Sequence, residues 1–305
     1  MPHDHAHDHA HAHAEGGRGW QFAIGVGLNT GFVAAEVIGG MAANSVALLA
    51  DAAHNLGDVL GLLLAWGAAV LARRPPSRRR TYGWGRSTIY AALINAVVLL
   101  ISVGAIGVEA IRRLLAPEPI EVVPVAAIAA AGIVINGLTA WLFARGREQD
   151  LNLRATFVHM AGDAGLSAGV AVAAIVIGAT GWLRLDPAVS LVIAVVITWA
   201  TWSLLREAIG LAMDAVPEGV SRDEVNRFLA GLPGVQEVHD LHIWGLSTTD
   251  TALTAHLVCD EAADPHRLHE VTHALAERFG IGHVTVQIES ASEAEACRLR
   301  PHDVV

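Results

Sequence analysis

Two short stretches of the sequence each place a histidine and an aspartate one helical turn apart in apolar surroundings. His54 and Asp58 lie in SVALLADAAHNLGDVLG, and His159 and Asp163 lie in LRATFVHMAGDAGLSAG. Both pairs have the form His-x-x-Gly-Asp, and an i, i+4 spacing puts the two side chains on one face of a helix. Two such helices facing each other would offer two imidazoles and two carboxylates. That donor set suits tetrahedral Zn²⁺.

The apolar setting makes these polar side chains costly. An ionisable group at the centre of a membrane costs roughly 2.5–3.5 kcal/mol on insertion scales, so a functional role is the default interpretation. One buried His-Asp pair is a common structural device, but two matching pairs favour a site. Asp51 shares the helical face of His54 and could line an ion pathway. Glu36 and Asn136 could also do so, although amides often act as packing contacts between membrane helices.

The composition indicates a membrane domain followed by a soluble one. The chain has 305 residues, of which 53% are hydrophobic and 16% are charged. In a soluble protein about a quarter of the residues are charged. Apolar residues fill the first two thirds, and most carboxylates outside the tail and loops follow Asp214. The net charge of −10 argues against a nucleic-acid partner, because a protein that binds nucleic acid shows a basic patch. Cys259 and Cys297, the only cysteines, have no C-x-x-C partner, so neither a disulfide framework nor a thiolate zinc site is indicated.

Six apolar stretches are long enough to cross a bilayer, for which roughly 20 residues are needed. They make residues 18–211 a predicted six-helix transmembrane transport domain. The stretches are Trp20–Gly40, Val46–Leu71, Thr88–Leu114, Val122–Arg145, Leu153–Gly178 and Pro187–Leu211.

The loops between these stretches predict the orientation. The second loop reads RRPPSRRR, and the fourth contains Arg145, Arg147 and Arg154, whereas the first loop has no Lys or Arg. Positively charged loops stay in the cytoplasm. We therefore expect a multi-pass protein of the inner (cytoplasmic) membrane with both termini on the cytoplasmic side.

The pattern after the membrane domain predicts a small cytoplasmic metal-binding and dimerisation domain over residues 212–290. Helical and alternating stretches follow one another in the order α-β-β-α-β, which is typical of a ferredoxin-like α+β domain. Residues 291–305 are predicted to be a polar tail. The predicted elements are Ser221–Leu232, 235–247, 251–260, Pro265–Phe279 and His283–Glu289.

Histidines are concentrated in this domain and predict a second metal site. His239 and His256 lie on adjacent predicted strands, and His269 lies on the facing helix. Together with Glu289 they could converge on one ion. The alternative is that several of them are ordinary surface residues.

A histidine-rich tail occupies residues 1–17 and is predicted to be disordered, because it has nothing to bury. Such tracts are typical of metal binding, although a purification tag or a solvated low-complexity tail is the alternative. Its histidines are His3, His5, His7, His9, His11 and His13.

These motifs together resemble the cation diffusion facilitator family of metal efflux transporters over nearly the whole chain. The resemblance rests on S-x-A-L-L-A-D-A-x-H-x-x-x-D at Ser45–Asp58 and on the second H-x-x-x-D at His159–Asp163. It also rests on PP…TYGWGR after the second apolar stretch and on V-H-D-L-H-I-W at Val238–Trp244.

The resemblance implies a homodimer with six spans per chain that exports Zn²⁺ in exchange for protons, with Cd²⁺ and Co²⁺ as further candidates. It implies no enzyme activity and no organic cofactor. By position, the transport site would be His54, Asp58, His159 and Asp163.

The resemblance also implies regulatory zinc in the C-terminal domain at His239, His256 and His269. There Gln287 stands where some members have His, and Glu289 where they have Asp, which leaves the number of ions open. His54 stands where other members carry Asp, and the His form accompanies zinc preference, whereas the acidic form accompanies iron or manganese.

Three other functions compete with zinc export. One is an Fe²⁺ or Mn²⁺ exporter of the same family, and another is a membrane metal sensor that does not transport. The third, an intramembrane metallohydrolase, needs an open zinc position and a general base such as the Glu of H-E-x-x-H, and neither pair has a Glu next to its His.

Overall fold

Six long helices precede a small α/β region in the computed structural model, which describes residues 19–144, 151–259 and 265–300. The predicted polytopic helical domain is confirmed, and its helix ends differ from the predicted ones by two residues at most. Within the described residues, the second to the sixth helix have the length and hydropathy of membrane spans. The helices are α1 Gly19–Ala42, α2 Val46–Ala72, α3 Ser87–Leu115, α4 Val122–Ala144, α5 Leu151–Thr180 and α6 Leu185–Ala212.

The start of α2 is fixed by a hydroxyl and a carboxylate. Ser45 Oγ accepts a hydrogen bond from Leu48 N at 3.2 Å, as an N-cap does, and donates one to Asp186 Oδ1 at 2.5 Å. Asp186 Oδ2 accepts a second bond from Val46 N at 2.8 Å. Because helix N-termini carry partial positive charge, the buried carboxylate is stabilised there. Asp186 thereby connects α6 to the helix that carries His54.

One compact unit comprises the described residues up to Leu60 together with Val98–Trp199. Its core is built largely from Ala, Val and Leu, and α4 packs along α5. Small residues allow membrane helices to approach closely, which gains packing where lipid offers no hydrophobic driving force. The buried residues include Ala47, Leu48, Leu99, Val125, Ala129, Val170 and Ala174.

The second compact unit comprises Gly61–Val97 and the chain from Ala200 onward. Its C-terminal part has the predicted α-β-β-α-β order, which is confirmed. The sheet has the order β1-β2-β3, with β1 antiparallel to β2 and β2 parallel to β3. The elements are α7 Arg222–Ala230, β1 Val235–Gly245, β2 Thr251–Cys259, α8 Pro265–Phe279 and β3 Ile281–Glu289.

A short helix, α9 at Ala291–Ala296, follows β3 where the sequence analysis placed a polar tail. Ser290 accepts from the Glu293 backbone N–H, and the Glu293 side chain accepts from the Ser290 backbone N–H. This capping box explains why the polar segment is helical. Ala294 is fully buried, so α9 is also anchored by packing.

Candidate metal centres

The two His-x-x-Gly-Asp motifs face each other across α2 and α5. His54 Nε2 lies 3.0 Å from Asp163 Oδ1 and 3.8 Å from Asp58 Oδ2. His159 Nε2 lies 3.4 Å from Asp58 Oδ2 and 3.7 Å from Asp163 Oδ2. With metal–ligand bonds of 2.0–2.2 Å, a tetrahedral zinc site has neighbouring ligand atoms about 3.3–3.6 Å apart. His54, Asp58 and Asp163 bring their ligand atoms within 4.8 Å of one another, whereas His159 lies outside this group and would have to move closer to complete a four-ligand zinc site.

The four side chains of the two motifs differ in exposure. Asp163 is almost completely buried, whereas the side chain of His159 is 46% exposed. His54 and Asp58 lie between these extremes. His159 is thus the most accessible of the four side chains, and Asp163 is the least accessible.

A buried polar layer adjoins the site. Asp51, predicted to lie on the pathway, is fully buried, and its Oδ2 accepts from Ser167 Oγ at 2.8 Å. Glu36 is also fully buried and accepts from Asn55 Nδ2 at 2.9 Å. Asn55 follows His54 directly, so α1 contacts the ligand helix next to the ion site. Nothing in the sequence marks Ser167 as the partner of Asp51, because hydroxyls are common in such helices.

Asn136, the other predicted pathway residue, is buried on α4. Its Nδ2 has no hydrogen-bond partner among the described residues. An amide can serve as a packing contact or line a pathway, so the pathway role of Asn136 stays a prediction.

The glycines of the two motifs have different surroundings. A Cβ on Gly57 would lie 2.6 Å from Leu99 Cδ1 on α3, whereas nothing lies within 4 Å of a Cβ on Gly162. The absence of a side chain at Gly57 thus lets α2 and α3 approach closely.

A second cluster lies on the C-terminal sheet. His239 on β1 is the direct partner of His256 on β2, and their ring centroids are 5.0 Å apart. Glu289 at the end of β3 bridges them, with Oε2 3.0 Å from His239 Nε2 and Oε1 2.9 Å from His256 Nδ1. Gln287 donates to Glu289 Oε1 at 2.9 Å, so it supports the carboxylate. His239 and Glu289 are buried.

An irregularity in β1 between His239 and His242 changes the direction of the side chains in this cluster. The register shifts between His239 and His242, and Asp240 adopts a positive φ of 50°. An extra residue of this kind bends a strand and redirects its side chains. As a result, Asp240 lies 2.8 Å from His242 Nε2 and 3.6 Å from His256 Nε2.

The structure adds one residue to this cluster and leaves one out. Cys297 Sγ lies 3.7 Å from His256 Nδ1, and its ligand atom is within 4.8 Å of those of His239, His256 and Glu289. His269 is exposed on α8 and is outside this group. The capping box before Cys297 was the available sequence signal, because its contact His256 is 41 residues away in the chain. The histidines of the N-terminal tail lie outside the described residues.

Comparison with known proteins reveals two family profiles. Residues 22–211 match the cation efflux transmembrane domain, and residues 217–291 match the cytoplasmic domain of cation efflux proteins. These two matches cover both the helical part and the C-terminal α/β part.

Curated relatives match over most of their length. The metal cation efflux system protein CzcD of Cupriavidus metallidurans is 36% identical over 95% of this chain and 89% of its own. The zinc transporter ZitB of Escherichia coli is 36% identical over 86% and 85%. A cadmium, cobalt and zinc/H⁺–K⁺ antiporter of Bacillus subtilis is 34% identical over 86% of each chain.

One solved structure, the metal-bound C-terminal domain of the CzcD transporter from Cupriavidus metallidurans, is 43% identical in sequence. The match covers 23% of this chain and 99% of the solved domain, with a TM-score of 0.22. The profile match across the helical domain and the full-length relatives show that the chain belongs to the cation diffusion facilitator family of cation efflux transporters.

Proposed function

We propose that this protein is a proton-coupled antiporter that exports Zn²⁺, and also Cd²⁺ or Co²⁺, from the cytoplasm. The observation that carries the proposal is the cross-helix set of two imidazoles and two carboxylates on α2 and α5. Nitrogen and oxygen donors in this number suit Zn²⁺, and four protein ligands leave no open position for catalysis. Relatives named as zinc, cadmium and cobalt transporters support the same substrates.

Proton exchange follows from the chemistry of the ligands. A ligating histidine must be neutral and a ligating aspartate ionised, so protons and metal compete for the same atoms. Histidine in water has a pKa of roughly 6.5, within the range of physiological pH. Protons from an acidic exterior would displace zinc from the outward-facing site, and cytosolic zinc would displace protons from the inward-facing site.

The proposed orientation places the arginine-rich loop after α2 and both termini on the cytoplasmic side of the inner (cytoplasmic) membrane. Arg112 and Arg113 at the opposite side are exceptions to the positive-inside rule. Arg113 binds Glu109 at 2.9 Å, and Arg112 lies 3.6 Å from Glu118. A hydrogen bond from Asn44, with Arg113 as the next contribution, lowers the pKa of Glu118, so this carboxylate stays ionised. Nearby carboxylates thus neutralise the two arginines, so these arginines have little influence on the predicted orientation of the chain in the membrane.

The proposal includes a homodimer and a regulatory ion in the cytoplasmic domain. The match to the cytoplasmic domain of cation efflux proteins supports a dimer-forming role for residues 212–290. His239, His256 and Glu289 supply two imidazoles and a carboxylate in one place, which fits zinc chemically. His269, expected to join them, would need a different arrangement of α8 to reach this ion.

Zinc flux in sealed vesicles tests the transport proposal. Purified protein is reconstituted, and zinc entry is followed with an internal indicator, with and without a pH gradient directed against zinc flow. We expect flux that the gradient accelerates. Flux indifferent to the gradient would leave a passive facilitator, and stoichiometric zinc binding without any flux would instead identify a metal sensor. Competition with Fe²⁺ and Mn²⁺ distinguishes the remaining family alternative.

A further inference from the structure

Cys297 lies at the edge of the cytoplasmic cluster in a position suited to metal ligation. Its Sγ is 3.7 Å from His256 Nδ1, and the four potential ligand atoms, which include those of His239 and Glu289, all lie within 4.8 Å. For Zn–S of about 2.3 Å and Zn–N of 2.0–2.1 Å, tetrahedral geometry separates sulfur and nitrogen by about 3.5–3.6 Å. The observed spacing is close to this value without any ion to impose it.

The position of Cys297 is fixed from both sides. Before it, the capping box of Ser290 and Glu293 starts α9, and Ala294 packs into the domain with no exposed surface. After it, Arg300 donates to Glu237 on β1 through Nε at 3.2 Å and Nη2 at 2.8 Å. A paired guanidinium and carboxylate of this type restrict orientation. Cys297 is therefore held over the sheet and is not on a free end of the chain.

The surroundings of the other ligands also fit a bound cation. His239 is 2% exposed, and its Nδ1 is buried without a hydrogen-bond partner in the described part of the chain. Its Nε2 lies 3.0 Å from Glu289 Oε2, so a metal bound at this nitrogen would take the place of that contact. Asp240 Oδ2 lies 3.6 Å from His256 Nε2, so a small movement would let this carboxylate accept a hydrogen bond that orients the imidazole.

We propose that Cys297 supplies a thiolate to the cytoplasmic site, giving a closed set of two imidazoles, one carboxylate and one sulfur that selects thiophilic divalent cations. Thiolates favour Zn²⁺ and Cd²⁺, whereas carboxylate and imidazole alone discriminate less against Mn²⁺. Because these ligands lie on the C-terminal sheet and not on the membrane-spanning helices, the ion they hold would be retained and not transported. The inference rests on the proposed function only in taking the cytoplasmic domain to bind metal, and it does not require transport.

Optical titration of the full-length protein tests this inference. Protein carrying Asp163→Ala, which weakens the intramembrane site, is titrated with Co²⁺ and with Cd²⁺ under reducing conditions. We expect near-ultraviolet absorption from sulfur-to-metal charge transfer that saturates at one ion per chain. Adding Cys297→Ser should abolish this band and weaken Cd²⁺ binding at least tenfold, with a smaller effect on Mn²⁺. Cys259→Ser, which removes the other thiol of the same domain, is the matched control and should retain the band.

A second measurement needs no substitution at the site. Alkylation of the wild-type protein, read by mass spectrometry of the two cysteine-containing peptides, should show that Zn²⁺ protects Cys297 and leaves the rate at Cys259 unchanged. A band that survives Cys297→Ser in dimeric protein, or equal alkylation of Cys297 with and without Zn²⁺, would overturn the proposal. Both readouts are independent of vesicle flux, so failure of zinc transport alone would leave this inference standing.

Discussion

His54 Nε2 lies 3.0 Å from Asp163 Oδ1, although the two residues are 109 positions apart in the chain. The aspartate of its own motif, Asp58, is farther away, at 3.8 Å. His159 shows the same preference, since it lies closer to Asp58 than to Asp163. Each imidazole thus pairs more closely with the carboxylate of the opposite helix. The site exists only where α2 and α5 meet, so small relative movements of these helices would change its ligand distances.

Removing one carboxylate should eliminate transport. We expect Asp58→Ala or Asp163→Ala to abolish zinc flux while insertion and dimerisation persist, because loss even of a residue that merely supports a ligand costs 10–100-fold in affinity. Flux in reconstituted vesicles is the measurement. Glu207→Ala, which removes an exposed carboxylate from α6, is the control and should transport normally. Wild-type flux in either site variant would refute the ligand assignment.

Substitution of His54 should alter metal preference. His54→Asp would give three carboxylates and one imidazole, and oxygen-rich sites suit harder ions such as Mn²⁺. We expect broader selectivity, with relatively better flux of Fe²⁺, Mn²⁺ or Cd²⁺ in competition with Zn²⁺. An unchanged ranking of metals would argue that His54 is not a ligand.

Zinc binding should release protons. At a pH near or below roughly 6.5, a larger fraction of free imidazole is protonated, so each bound zinc must displace more protons and apparent zinc affinity should fall as pH falls. Calorimetry in buffers of different ionisation enthalpy measures this release. His54→Ala should reduce it. Proton release identical in this variant and the wild type would exclude His54 from the exchange.

The two motif glycines should respond differently to the same change. Gly57→Ala places a methyl group against the buried Leu99, and overpacking of this kind costs about 1–3 kcal/mol. Gly162→Ala meets no neighbour within 4 Å and is the matched control. We expect lower thermal stability in detergent for Gly57→Ala alone. Equal melting temperatures would show that α3 does not constrain α2 here.

Deleting residues 1–14 should leave flux intact at saturating zinc. The tail can collect ions but has no means of carrying them across the membrane, so any loss should be confined to low zinc concentration. Flux across a zinc titration is the measurement, with the six tail histidines changed to Ala as a second variant that keeps the length. Complete loss of flux on deletion would contradict this role.

The helices and strands were predictable because their signals are local. Span length, alternation and caps such as Ser221 depend on neighbouring residues, and the elements were found within a few positions. The motif pairs were also visible, since i, i+4 spacing is a local property. Their cross-helix pairing required the structure, because distances between α2 and α5 depend on packing that no short segment encodes.

Contacts between distant residues explain what the sequence analysis missed. The burial of Asp186 beneath the start of α2 joins residues about 140 positions apart, and a lone Asp before an apolar stretch gives no hint of it. Cys297 has no C-x-x-C partner, so the sequence predicts no thiolate metal site, yet in the structure its neighbours are His256 and Glu289. The α9 helix differs, because its Ser-x-x-Glu capping box at Ser290 and Glu293 is a local signal that the sequence carries.

The bridging of β1, β2 and β3 by one carboxylate and two imidazoles has a consequence for folding. His239 and Glu289 are 50 positions apart, so these donors converge only after the whole C-terminal domain has folded. A metal held there binds the native state and not the unfolded chain. At a hundred times its dissociation constant, such a ligand stabilises the native state by about 2.7 kcal/mol. Cytosolic metal concentration would thereby set the melting temperature of this domain, and its lifetime in the cell would rise when zinc is abundant.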